Sequence, residues 1–168
     1  KFGFQDENEI AKIVKAYKGK TFNSADFQLL VDRENFVLIE NSSNQNSTEN
    51  SEEIIIAESL SSINNREISL SKWIINEKET HWLYDEEKLI FPLKLRKKKT
   101  GDLIFPIGMI GKKTVSKFFK DEKIPILAQQ KIWLLCNGND EIMGILPLRQ
   151  DRRFSANQHA KSTIKIKF

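Results

Sequence analysis

Between Asp6 and Tyr17 the apolar residues Ile10, Ile13, Val14 and Tyr17 recur at intervals of three and four, which predicts a helix with one apolar stripe, Asp6 as its N-cap and Gly19 beyond its end. The pattern then changes period. FQLLV and FVLIE flank the polar Asp-Arg-Glu-Asn and predict a β-hairpin. NSSNQNSTENS, from Asn41 to Ser51, has neither periodicity nor apolar content and predicts a poorly ordered loop. Glu53–Ser59 and Glu67–Leu70 predict strands, and Lys72–Ile75 either extends the second or begins a turn.

From His81 the chain reads as a strand (HWLYD), an acidic turn and the alternating run FPLKLRK. Alternation places Leu93 and Leu95 on one side and Lys94 and Arg96 on the other, an expected solvent face. Thr100, Gly101 and Asp102 supply a turn, and Pro106 makes LIFPIGM an edge or irregular segment. Thr114 or Ser116 caps a short helix through Lys120, with Val115, Phe118 and Phe119 inward. Lys112, Lys113, Lys117 and Lys120 stay outside or at its N-terminus, where the macrodipole disfavours cations by a few tenths of a kcal/mol. Their presence there points to an external anion. Pro125 starts a second short helix, and IWLLC, NGND and EIMGIL predict another hairpin. STIKIKF alternates and predicts a final strand with Ile164, Ile166 and Phe168 buried. The fold class expected is α+β: residues 1–79 as an acidic helix-plus-hairpin linking segment, residues 80–168 as a compact, β-rich basic domain with one or two short helices.

Charge sharpens this picture. Residues 1–90 carry 10 Lys+Arg against 17 Asp+Glu, a balance of −7, and residues 91–168 carry 17 against 6, a balance of +11. Two clusters, Lys94–Lys99 and Lys112–Lys120, lie either side of a turn and an apolar run. A small basic module of this kind has the electrostatic footprint of a surface that meets nucleic-acid phosphates. No apolar run approaches the ~20 residues that span a bilayer, so no membrane partner and a cytoplasmic location are expected. The single Cys136, set among apolar neighbours, reads as a half-buried small hydrophobe.

PLKLRKKKTGD, then PIGMIGKK, then SKFFKDEKIP, then IWLLCNGNDEIMGILPLRQDRRF resembles the C-terminal region of the tRNA(Ile)-lysidine synthase family, in the form found in Bacteroidetes-like bacteria. The resemblance runs from about Trp82 to Phe154, and the upstream KFGF and GKTFNSADFQLLVDRENFVLI look like the segment that precedes it there. The chain departs from the family at Lys98, where Trp is usual, at Ile110, where Lys is usual, at Thr114 and Val115, where a further Lys and Leu are common, and at Pro147, where Gly is common. The resemblance implies a parent ligase that uses ATP, with magnesium, and lysine to convert the wobble cytidine of an isoleucine tRNA to lysidine. It also implies that this chain docks tRNA, on the acceptor-stem side, for a catalytic domain in the same polypeptide. That catalytic domain holds pyrophosphate on a glycine-rich turn. The seven glycines here never cluster, so no cofactor is expected on this stretch, which reads as an excised fragment.

For catalysis the residues offer little: His81 and His159 lack companions at metal-ligand spacing, and Asp121 and Glu122 point apart on a helix. For RNA the candidates are Lys94, Arg96, Lys97, Lys98, Lys112, Lys113, Lys117, Lys120, Arg149, Arg152 and Arg153, which converge if the first strand, the helix and the LRQDRRF turn adjoin. The three arginines rank first for specificity, since a guanidinium binds phosphates and base edges bidentately. Asp151 is expected to orient Arg152 or backbone, and Trp82 and Trp133 to serve the core. A second reading is a protein-interaction or homodimerisation module in which the acidic half of one chain meets the basic half of another.

Overall fold

The computed structural model describes residues 7–16, 20–32, 35–40, 53–74 and 79–168, and the chain divides into two compact units, Lys1–Asn50 and Ser51–Phe168. The boundary falls within the polar 41–51 stretch, itself outside the described residues, whereas the sequence reading divides the chain at 79/80. The reason is strand pairing, described below, which commits residues 53–74 to the second unit.

In the first unit, helix α1 (Glu7–Val14) is followed by β1 (Thr21–Asn23), β2 (Phe27–Asp32) and β3 (Asn35–Glu40), an antiparallel sheet in the order β1-β2-β3. The hairpin expected from FQLLV and FVLIE is β2–β3. Ser24 shapes the β1–β2 turn: its hydroxyl accepts from the Phe27 N–H and donates to the Phe27 carbonyl, both at 3.0 Å. Of the expected helical stripe only Ile13 is buried, with Leu30 and Val31, whereas Ile10 and Val14 are exposed and Tyr17 lies outside the described residues.

The second unit contains β4 (Ile54–Ala57), β5 (Glu67–Ser69), β6 (His81–Asp85), β7 (Leu93–Arg96), β8 (Leu103–Ile104), β9 (Lys113–Thr114), α2 (Val115–Asp121), α3 (Ile126–Lys131), β10 (Trp133–Cys136), β11 (Ile142–Leu146), β12 (Arg149–Gln150) and β13 (Thr163–Lys167). A five-stranded sheet runs β12-β11-β10-β7-β4, and a second of three strands runs β5-β13-β6. β4 pairs antiparallel with β7, and β5 parallel with β13. The architecture is α+β and β-rich, as expected.

Two cores result. Leu93, Leu95, Leu135, Met143, Tyr84, Ile164, Ile166 and Phe168 lie in one, between the sheets; the expected inward face of β13 is borne out. The other gathers Ile104, Val115, Phe118, Phe119, Leu134, Cys136, Ile142 and Ile145 beneath α2. The five-stranded sheet is therefore covered on both faces, and this decides the fate of the charges on β7. Cys136 is fully buried, and burial pushes its thiol up to about 12, which removes it as a nucleophile at neutral pH.

At the β10–β11 turn, Gly138 donates to the Ile90 carbonyl at 2.7 Å, and a Cβ there would lie 2.3 Å from the Phe91 carbonyl oxygen. Main chain cannot swing away as a side-chain tip does. Gly138→Ala is expected to destabilise the unit by about 1–3 kcal/mol, read as a lower urea midpoint with unchanged m-value; an unshifted midpoint would show that the approach is not needed.

Candidate nucleic-acid interface

The first basic cluster is built into the structure. β7 lies between β10 and β4, and the turn after it folds Asp102 back over the sheet while the β10–β11 turn brings Asp140. Arg96, only 1% exposed, sits between them. Its Nη1 and Nη2 donate to the two Asp102 oxygens, each at 2.9 Å, and its Nε donates to Asp140 Oδ1 at 2.8 Å. Burial works against the guanidinium's charge, and the two carboxylates overcome it, so its proton is held more tightly than usual. The expected solvent face of β7 is thus corrected: alternation does place Lys94 and Arg96 opposite Leu93 and Leu95, but that face carries a second core and its own acids.

Lys94 Nζ lies 3.1 Å from Glu53 and 3.0 Å from Asp140, and Lys99 Nζ 2.9 Å from Glu53 and 3.4 Å from Asp140. The acidic N-terminal side of the sequence therefore meets the basic cluster within one unit. Glu53, beside β4, neutralises lysines more than forty residues away, and Glu67 pairs with Lys165 and Lys167. Counted by unit, residues 51–168 hold 21 Lys+Arg against 15 Asp+Glu, a balance of +6 in place of the +11 that the cut at residue 90 gave.

Burial tends to raise the Asp140 carboxyl, but its hydrogen bonds from Arg96 and Lys94 prevail and lower it from 3.8 to about 2. A folded-state value below the unfolded one contributes stability that is present above the unfolded value and lost as pH falls toward the folded one. Stability should decline between about pH 4 and pH 2, and Asp140→Asn should flatten that part of the profile. Thermal melts of both proteins across the window check this; parallel slopes would contradict it.

Lys97 is also engaged: its Nζ donates to the Lys131 carbonyl at 2.9 Å and lies 3.6 Å from the Trp133 ring centroid, a close cation–π contact that occupies this face of the indole. Trp82 packs edge-on against Phe168 at 4.8 Å, in the core role expected. Lys98, half-buried, makes no ion pair among the described residues.

The second cluster is different. After β8, residues 105–112 form an irregular loop whose Gly108 and Gly111 have φ of 78° and 83°, a region that favours glycine. The buried Asp151 ties this loop to the turn after β12: its carboxylate accepts from the Phe105 N–H at 2.9 Å and from the Arg153 N–H at 2.9 Å. Arg153 Nη2 and Nη1 reach Asp151 at 3.1 Å and Glu141 at 2.8 Å, and its guanidinium lies 4.3 Å from the Phe105 ring centroid. Asp151 orients Arg153 and backbone, not Arg152. Arg149 donates to the Ile107 carbonyl at 3.4 Å and approaches Glu122 at 3.9 Å. Arg152 stays exposed and donates to the Met109 carbonyl.

Helix α2 follows, with Val115, Phe118 and Phe119 buried as expected. Thr114 is its N-cap and accepts from the Lys117 N–H at 3.2 Å. Lys113 pairs with Asp121 at 2.7 Å. The helix start is thus served from within the chain, and the external anion inferred from the macrodipole is not required to account for it. Lys112, Lys117 and Lys120 are exposed with no ion pair among the described residues.

Of the three segments expected to converge, the helix and the arginine turn adjoin, through Arg149 and Glu122; the β7 cations lie in the sheet. Lys94, Arg96, Lys113 and Arg153 are held by acids, Lys97 by a carbonyl and an indole. Lys98, Lys112, Lys117, Lys120 and Arg152 remain available. Sequence reading missed the acids that sort them, Glu53, Asp102 and Asp140; Asp102, three residues after Lys99 in a Gly-Asp turn, carried the one local sign.

A β-rich α+β unit that exposes Lys112, Lys117 and Lys120 on one loop and one helix defines the class of fold, and comparison with known proteins makes the kinship specific. The chain is 33% identical to the tRNA(Ile)-lysidine synthase of Parabacteroides distasonis over 158 residues, 89% of this chain and 34% of that protein. It is 31% identical to that of Bacteroides thetaiotaomicron over 95% of this chain and 35% of that protein. Residues 1–41 match a family described as the TilS substrate binding domain. A solved structure, "Crystal structure of TILS C-terminal domain", aligns with a TM-score of 0.45 and 19% identity over 55% of this chain and 73% of that one. By sequence the chain is similar to tRNA(Ile)-lysidine synthases and spans about a third of the length of these relatives.

Proposed function

We propose that the second unit docks a folded tRNA through Lys112, Lys117, Lys120, Arg152 and Lys98, as part of a cytoplasmic tRNA(Ile)-lysidine synthase. The observation that carries this is that Lys112, Lys117, Lys120 and Arg152, on α2, the loop before it and the adjoining turn, are exposed and make no ion pair among the described residues, while Lys94, Arg96, Lys113 and Arg153 are held by acids. Four or five uncommitted cations give phosphates a field to bind, and each ion released steepens the salt dependence by about 0.9. The first unit shares in substrate binding, a reading supported by its match to a family with that description.

In the complete enzyme, a ligase, a catalytic domain would use ATP with magnesium and lysine to modify wobble cytidine 34 of tRNA(Ile). The residues of this chain do not suit that nucleotide: its seven glycines are dispersed and form no phosphate-cradling run. Pairing of acidic and basic halves between two chains is disfavoured, since Glu53 and Glu67 already meet their lysines within one unit.

Titrating an isoleucine tRNA transcript against the 168-residue chain at two salt concentrations tests the proposal. Binding that weakens steeply with salt is expected; no binding even at low salt would overturn it.

A further inference from the structure

Beside the free cations the second unit shows an apolar feature that charge alone does not explain. Ile110 is fully exposed at the tip of the 105–112 loop, between Gly108 and Gly111. Ile107, earlier in the same loop, and Leu148, in the adjoining turn, are also exposed. The tip is a held structure: the Ile107 N–H donates to the Gln150 carbonyl at 3.0 Å, Arg149 donates to the Ile107 carbonyl, and Arg152 donates to the Met109 carbonyl immediately before Ile110. Lys112 follows two residues later. Three aliphatic side chains are thus presented to solvent, two on a braced loop and one on the adjoining turn, framed by cations.

Resting on the docking role proposed above, we infer that Ile110 is a specificity-determining contact that packs on the ribose and base edges of a double-stranded RNA stem, while the surrounding cations hold its phosphates. The partner's chemistry follows from the patch. Aliphatic tips without an aromatic platform do not stack unpaired bases, and no Phe, Tyr or Trp described in the second unit is exposed. The shallow minor groove of an A-form helix, by contrast, offers sugar faces to such a side chain. Fixed positive charge around the tip complements the two phosphate strands that border that groove.

A contact of this kind has a signature that a cation lacks, because burying a methyl group releases no counterion. Ile110→Ala should weaken binding to a 12-base-pair RNA duplex, and to an isoleucine tRNA transcript, by about 10-fold at every salt concentration, with the slope of log affinity against log salt unchanged. Binding to a 12-nucleotide single strand should not move. Since the side chain touches solvent, folding is expected to survive, and circular dichroism confirms it. Unchanged affinity for the duplex, a changed salt slope, or an equal loss on the single strand would each overturn the assignment. If the parent chain binds no RNA, the docking role itself fails; if it binds and Ile110→Ala is silent, only this inference does.

Discussion

Arg96→Met is expected to lower the stability of the second unit by about 3 kcal/mol, the order of loss when one partner of a buried ion pair is removed. The guanidinium makes three short bonds to Asp102 and Asp140, and methionine fills the space while leaving Asp102, itself nearly buried, without its cation. Changing both partners, Arg96→Met with Asp102→Leu, should recover part of the loss, since the penalty lies in the orphaned charge. Urea unfolding of the single and double variants checks this. Under conditions where Arg96→Met remains folded, its salt dependence of tRNA binding should match the parent's. A slope smaller by about 0.9 would show that Arg96 touches phosphate after all.

The double change Lys117→Ala, Lys120→Ala should act the other way round. Both side chains are exposed on α2 and make no ion pair among the described residues, so folding is expected to be nearly unaffected. If each neutralises a phosphate, the salt slope falls by about 1.8, and affinity at 0.1 M salt by roughly 50-fold. Anisotropy titrations of a tRNA transcript at several salt concentrations measure both. Unchanged binding would remove α2 from the interface. Together the two variants separate the basic residues that hold the unit together from those offered to RNA.

How much of this was legible beforehand differs by element. The β2–β3 hairpin, the inward Val115, Phe118 and Phe119 of α2, the β10–β11 hairpin and the buried Ile164, Ile166 and Phe168 of β13 follow from local periodicity, because one repeat of the chain sees one apolar face. The α1 stripe did not behave so, since spacing locates a face but not what covers it; Ile10 and Val14 are exposed. The compact units divide at residue 50, where the sequence reading has 79, for a related reason. Charge changes sign late in the sequence, yet β4 and β5 pair with β7 and β13, and strand pairing ignores sequence distance.

The candidate site shows the same limit more sharply. That lysines and arginines are abundant after residue 91 is a fact of the sequence, as is the resemblance to lysidine synthases carried by its motifs. Which of them faces solvent is not. Lys94 and Lys117 are both lysines, but Glu53 and Asp140 arrive beside the first from distant segments and form ion pairs with it, whereas the second makes no ion pair among the described residues. Hydrophobic period and motif order are short-range properties, so the amino-acid sequence determined the elements, the α+β class and the kinship by itself. The neutralisation of a charge depends on its neighbours within a few ångströms, and only the tertiary structure decided those.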